Sequence, residues 1–476
     1  MNIDKNNFYY LIQSILTSML PIIGLPIYLN YISISEYGVY GLCLASSSFF
    51  SSIAGFGFQL SFERNFFEKS SKVYHSKLIW TCLSFVILNS ILIGFLIFIF
   101  KDYLSLLLTK TTDNQFLFFY SYCGLCLISI KMYFLIFFKN KMLAKQFVSF
   151  SIGDSVLTLI ISLILIIGFD LNILGLIFGQ IFSTGFVILI ILIYLKIPYG
   201  FSYELLEKNF KLSFPLTPRI FIGVLNNQFD KIIIGIIGST YIVGIYSLGQ
   251  KIAYVLFNLL NAQSNSFIPL IYKKMFENSK KDNGLISKIV NPYFYFSAFF
   301  SVIIILYSKE LINLFFNFEF EKSALVVIII TPLYLTFFFG KIPQLLFKKK
   351  TGIISAISFF NIIIYIILGY VLTTAYSFIG ASFSLLISGL FSTIITFYFS
   401  QKYYHILWNY NYIFQIYLMI FSSCLLSYLF LSNDFTIIKA LIFKGLFVVI
   451  VLYYGFKRDF ISINRIIKFL KNLKNV

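Results

Sequence analysis

Crossing about 30 Å of hydrocarbon takes roughly 20 consecutive apolar residues in a helix, and runs of that length fill almost the whole of this chain. They lie near 8–32, 38–62, 78–100, 115–138, 147–169, 171–195, 212–238, 241–270, 288–308, 324–347, 352–374, 377–400, 410–431 and 435–456. Fourteen membrane spans are therefore predicted. The runs show no alternation of period two, which excludes a β-barrel. Composition excludes a soluble fold: 59% of residues are hydrophobic and only 12% charged, too few charges to cover so much apolar surface. The expected class is an all-α polytopic membrane protein. The first run lacks a cationic leader and a small-residue cleavage site, so it reads as a retained helix. Pro21, Pro26, Pro215, Pro218, Pro332 and Pro343 fall inside the runs, where they predict kinks.

The charge balance orients the spans. The chain carries 37 Lys and Arg against 18 Asp and Glu, a net charge of +19. On a soluble protein that excess would suggest nucleic acid; here it is read through the bilayer. With the N-terminus in the cytoplasm, the inside loops hold 26 cations and the outside loops only Lys101, Lys110, Lys309 and Lys322. Acidic residues split evenly, as expected when cations alone set topology. Both termini are thus expected in the cytoplasm of a cell whose Ile, Phe, Lys and Asn bias suggests an AT-rich bacterium. The runs Lys273-Lys274 and Lys348-Lys349-Lys350 read as topological, with contacts to anionic membrane lipids. Nucleic acid is not an expected partner.

Chemistry-bearing motifs are scarce. Cys43, Cys82, Cys123, Cys126 and Cys424 sit inside apolar runs, and the Cys123/Cys126 pair has no second pair or nearby His, so no metal site is expected. His75 and His405 lie in polar loops and read as solvated. No G-x-x-x-x-G-K-[ST] loop is present, which argues against direct ATP drive. No loop carries the clustered His, Asp, Glu or Arg that a membrane glycan polymerase or acyltransferase would need. The chain is not expected to be an enzyme.

One internal repeat stands out. Gly38-Val39-Tyr40-Gly41-Leu42 opens the second run, and Gly244-Ile245-Tyr246-Ser247-Leu248 opens the eighth. Six intervening spans make the two copies parallel. That implies two six-helix lobes related by an axis along the membrane normal, with a cavity between them. The expected divisions are 1–211 for the first lobe, 212–400 for the second, and 401–476 for two further helices and a basic cytoplasmic tail. At these residues the chain resembles the polysaccharide-transporter branch of the multidrug/oligosaccharidyl-lipid/polysaccharide flippase superfamily, which includes the O-antigen (Wzx-type) flippases. The first matching block is Ser35-Glu36-Tyr37-Gly38-Val39-Tyr40. The second begins at Phe214-Pro215-Leu216 and continues through Asn227-Gln228-Phe229-Asp230-Lys231-Ile232-Ile233-Ile234-Gly235. It ends with Gly244-Ile245-Tyr246-Ser247, Lys251 and Pro269. The resemblance implies export of a lipid-linked oligosaccharide, typically undecaprenyl-diphosphate-linked, by alternating access across the bacterial cytoplasmic membrane. It also implies work alongside a glycan polymerase and a chain-length regulator.

Ionisable side chains within the hydrocarbon are costly and point to a cavity or a partner. Nine fall inside the spans: Lys131, Asp154, Arg219, Asp230, Lys231, Lys251, Lys341, Lys439 and Lys444. Equal depth on neighbouring antiparallel helices pairs Lys131 with Asp154 and Asp230 with Lys251. Such pairs can equally hold helices in register, and Lys341 or Lys439 can reach an interface along their own methylene chains. Arg219, Lys251 and Lys231, with Arg64 at the entrance, are the candidates to attract a diphosphate. Asp230 and Asp154 are the candidates to couple transport to H⁺ or Na⁺. No other cofactor is expected. The leading expectation is a flippase for a polyprenyl-diphosphate-linked glycan such as O-antigen or capsule. The alternatives are an ion-coupled multidrug exporter of the same superfamily and, in a different class, the membrane glycan enzyme.

Overall fold

A computed structural model describes residues 3–277, 284–432 and 437–458, and among these there are helices but no strands. The basic tail beyond residue 458 lies outside the described residues. In chain order the helices are α1 (Ile3–Tyr28), α2 (Ile34–Gly55), α3 (Phe58–Asn65), α4 (Lys72–Ile99), α5 (Lys101–Thr109) and α6 (Gln115–Asn140). They continue with α7 (Ala144–Leu163), α8 (Asn172–Leu195), α9 (Tyr203–Ser213), α10 (Thr217–Ile237), α11 (Thr240–Glu277) and α12 (Leu285–Leu306). The last six are α13 (Ser308–Phe315), α14 (Ser323–Gly340), α15 (Gln344–Phe347), α16 (Thr351–Tyr403), α17 (Tyr410–Ser432) and α18 (Ile437–Lys457). Among the described residues eleven helices are long and apolar enough to cross a membrane. The pair α2 and α3, bent by 48°, adds a broken span. α16 breaks at Ser377, where φ is +55°, into 351–376 and 378–403, each about 39 Å long at 1.5 Å per residue. With α1 these make about fourteen spans.

Local chemistry explains where the helices begin and break. Ser33 and Glu36 form a reciprocal cap at the start of α2, satisfying two backbone donors that a helix start leaves over. Ser71 and Ser202 cap α4 and α9 through single bonds to Tyr74 N and Leu205 N. Between α2 and α3 the backbone turns left-handed at Phe56 and Gly57, a conformation that glycine adopts without steric cost. Three proline expectations change. Pro215 lies in a one-turn 3₁₀ segment, Phe214–Leu216. Pro218 is the second residue of α10 and Pro343 falls between α14 and α15. All three sit at helix starts, where a missing N–H costs nothing. Pro292, not singled out above, lies inside α12.

The chain forms two compact units, 1–247 with 362–381, and 248–361 with 382–476. In the first, α2 packs against α6 and α10, while α7 packs against α1 and α8. Lipid is as apolar as the side chains, so contact here relies on close approach and small residues rather than on expulsion of water. One buried cluster is rich in aromatic rings: Phe58, Phe62, Tyr133, Phe134 and Phe138 lie in it with Leu78, Ile79 and Ile191. In the second unit, α12 packs against α14, α17 and α18, and α14 against α17.

Three short helices, α5, α9 and α13, occupy stretches read from sequence as loops. α9 shows why they form. It buries Leu205, Asn209 and Ser213 at a spacing of four and exposes Tyr203 and Phe210. Asn65 donates to the Asn209 amide oxygen at 3.1 Å, and Ser213 donates to the Ser61 hydroxyl at 2.9 Å, which docks α9 on α3. His75, expected to be solvated, is buried instead. Its ring stacks on Phe66 with centroids 4.0 Å apart, and its Nε2 lies 3.0 Å from the Phe66 carbonyl.

Candidate functional site

The two copies of the repeated motif meet. Under the offset of 206 residues Ile34 corresponds to Thr240, Gly38 to Gly244 and Gly41 to Ser247. A Cβ on Gly38 would fall inside the Thr240 carbonyl, and one on Gly244 inside the Ile34 carbonyl. These are the same contact made twice, as at a two-fold axis. The third correspondence closes on itself, since a Cβ on Gly41 would lie 2.8 Å from the Ser247 hydroxyl. Glycine is required here because two helix backbones touch where α2 and α11 cross. α10 packs beside them, with Gly235 against Leu42 and against the Leu108 carbonyl of α5. Lys110, after α5, donates to the Gly238 carbonyl at 2.5 Å and so places a cation on the C-terminal carbonyls of α10.

Asp230 of α10 is 1% exposed. Its Oδ2 accepts a 2.5 Å hydrogen bond from the Tyr246 hydroxyl in the second motif copy, and its Oδ1 accepts from the Lys231 backbone N–H at 2.8 Å. The Lys231 ammonium donates to Gln228 Oε1 at 3.2 Å. Asp230 belongs to the first unit and Lys251 to the second, where Lys251 is half-buried on α11. Arg219 lies in α10, but its side chain is outside the described residues.

Lys131 of α6 and Asp154 of α7 form a buried ion pair through Asp154 Oδ2. Asp154 Oδ1, also buried, has no partner among the described residues. Lys444 of α18 is equally committed. It donates to Glu310 Oε1 of α13 at 2.5 Å and is 1% exposed. Sequence reading missed that partner because Glu310 fell in an assumed loop. Lys439 is exposed. At the α3 end, Arg64 pairs with Glu68 Oε1 at 3.2 Å, and Lys208 pairs with Glu68 Oε2 at 2.6 Å. Two cations thus share one carboxylate. The Lys208 ammonium beside it holds the Glu68 carboxyl below the usual carboxylate range.

Lys341, at the end of α14, differs from these. Its ammonium donates to the Asn261 amide oxygen of α11 at 2.5 Å and lies 4.8 Å from the centre of the Phe257 ring. Among the described residues no carboxylate pairs with it. The opposite face of α14 borders an apolar cavity of about 350 Å³, lined by Thr336, Phe339, Leu390, Phe397, Tyr410 and Tyr417. Among the described residues no cluster of His, Cys, Asp and Glu could hold a metal, and all five cysteines are free.

The sequence profile of polysaccharide biosynthesis proteins matches residues 3–275, more than half of the chain. No curated protein sequence matches it. Solved structures do. The lipid II flippase MurJ in an inward closed conformation superposes with a TM-score of 0.68 at 16% identity, covering 96% of this chain and 99% of MurJ. An inward-facing multidrug MATE transporter of the MOP superfamily gives 0.59 at 13% identity over 83% of this chain and 94% of that one. A point mutant of the Vibrio cholerae MATE transporter VcmN gives 0.55 at 14% identity, over 84% and 96%. At such identities the likeness is one of fold.

Proposed function

The chain belongs to the polysaccharide biosynthesis protein family, and from that premise we propose that it is a flippase for a polyprenyl-diphosphate-linked oligosaccharide such as an O-antigen or capsule repeat unit. The observation that carries this reading is the family match joined to a MurJ-like fold over 96% of the chain. The protein is a multi-pass membrane protein, and its family and fold are those of transporters. The proposal extends this to the bacterial cytoplasmic membrane with both termini inside, as the cation asymmetry supports. A glycan polymerase and a chain-length regulator are the partners it would supply.

The mechanism proposed is alternating access. Arg219, Lys251 and Lys231 attract the diphosphate, and Arg64 guides it at the entrance. Lys208 and Arg64 bring two positive charges to the single charge of Glu68, so a net positive charge stays at that edge. Asp230 and Asp154 are the proposed coupling groups for H⁺ or Na⁺. The unpartnered Oδ1 of Asp154 supports its place there, because a buried acceptor without a donor can take a proton or a cation. Asp230 held by Tyr246 supports the other.

The test uses a deletion strain with radiolabelled sugars. Lipid-linked repeat units are expected to accumulate on the cytoplasmic leaflet and to clear when the gene is restored. Restoring Arg219→Ala/Lys251→Ala at wild-type abundance is expected to leave them there. Units already facing outward but unpolymerised in the deletion strain would overturn the reading and favour an enzyme.

A further inference from the structure

α11 and α14 carry the same three-part stripe 80 residues apart: Tyr254, Phe257 and Asn261 on one, Tyr334, Phe337 and Lys341 on the other. The spacing of three and then four residues puts each set on one helical face. The two stripes face each other as a ladder within the second unit. The Tyr254 and Tyr334 rings are 5.8 Å apart, Phe257 and Phe337 are 6.1 Å apart, and the last rung is the 2.5 Å bond from Lys341 to Asn261. Tyr254, at the far end, is 38% exposed.

The chemistry of the last rung asks for an anion. An ammonium only donates, so it takes the Asn261 oxygen, and the rest of that amide, its nitrogen, is another donor. Phe257 under the ammonium attracts the charge without neutralising it. Among the described residues these donors have no carboxylate paired with them, and they sit at the end of a stripe whose other end is a partly exposed aromatic ring about 10 Å away along the helix. An aromatic ring offers a flat apolar surface with a polar rim, which suits the C–H face of a sugar.

We propose that Lys341 and Asn261 bind a phosphate of the lipid-linked substrate while Tyr254 stacks on the sugar attached to it. The inference rests on the flippase reading and adds a subsite to it. The shared chemistry is a phosphate ester, which a bilayer phospholipid could also supply, and the test separates the two sources.

The full chain in phosphatidylcholine nanodiscs is titrated with radiolabelled farnesyl diphosphate and with farnesyl-diphosphate-linked N-acetylglucosamine. Lys341→Met is expected to weaken both about tenfold, the scale of one charged hydrogen bond. Lys341→Arg, which keeps the charge, is expected to stay within about threefold of wild type. Tyr254→Leu is expected to weaken only the sugar-bearing probe, by about fivefold. Each variant is first shown to elute as the wild type does. If wild type binds both probes and Lys341→Met binds them equally well, the subsite is wrong and the flippase reading stands. If phosphatidylglycerol displaces the probes as well as unlabelled farnesyl diphosphate does, the site belongs to bilayer lipid and the proposal falls. If wild type binds neither probe, both readings fall.

Discussion

Lys131 and Lys341 are both lysines at the depth of the membrane helices, yet one meets a carboxylate and the other an amide. In the first unit, Lys131 and Asp154 cancel each other between α6 and α7, and the pair adds no net charge to its surroundings. In the second, Asn261 satisfies a donor of Lys341 but leaves its charge whole. The difference teaches how to sort buried cations. A cation closed by an acid holds helices together, and one closed only by a dipole still has a field to offer a ligand.

Breaking the first region should cost most. Asp154→Leu leaves Lys131 buried and uncompensated, and a loss of about 3–5 kcal/mol is expected. It would be read as a lowered melting temperature or vanished abundance of the purified full chain. Replacing both partners, Lys131→Met with Asp154→Leu, is expected to recover most of that stability, since apolar side chains of similar volume suit this place. If the double variant transports as well as folds, Asp154 has no coupling role. By contrast Lys341→Met removes only a bond to a neutral amide, and about 1 kcal/mol is expected. A loss at Lys341 as large as at Asp154 would end the distinction between the two regions.

The glycine crossing gives the next effect. Gly38→Ala puts a methyl group into the Thr240 carbonyl and Gly244→Ala puts one into the Ile34 carbonyl. The helices must separate, at about 1–3 kcal/mol each. Because the contacts are equivalent, the two variants are expected to lose similar amounts in the same thermal assay. Gly223→Ala, where a Cβ meets nothing within 4 Å, is the control. Unequal losses would show that the repeat is a likeness of sequence without a two-fold contact.

Much of this was legible in the sequence. Long apolar runs fix helices because nothing else satisfies a backbone in lipid, and the five-residue repeat marks where α2 and α11 touch. What escaped reading had identifiable causes. α5, α9 and α13 are 8–11 residues long, so they looked like polar loops, and Glu310 could not be offered to Lys444. His75 lies in the first turn of α4, where sequence polarity says nothing about the Phe66 ring folded over it. Comparing depths on neighbouring antiparallel helices pairs charges such as Lys131 and Asp154; the α11–α14 stripe appears only when two segments 80 residues apart are laid side by side.

The smallest effect belongs to the outer edge of the first unit, where Glu68 serves Arg64 and Lys208. A carboxyl whose folded pKa is lowered contributes stability that is fully present above its unfolded value and fades as pH falls through the folded one. Wild type should therefore exceed Glu68→Gln in melting temperature from pH 8 down to pH 5. The gap should close as the pH drops below the ordinary carboxylate range. Because Arg64 and Lys208 are largely exposed, about 0.2–1 kcal/mol is expected, less in high salt. A gap that persists once the carboxyl is protonated would trace to the Tyr74 hydroxyl bond to Glu68 at 3.2 Å rather than to charge. The stability of that edge would then rest on a neutral hydrogen bond, unlike the Lys131–Asp154 pair, which is held by charge.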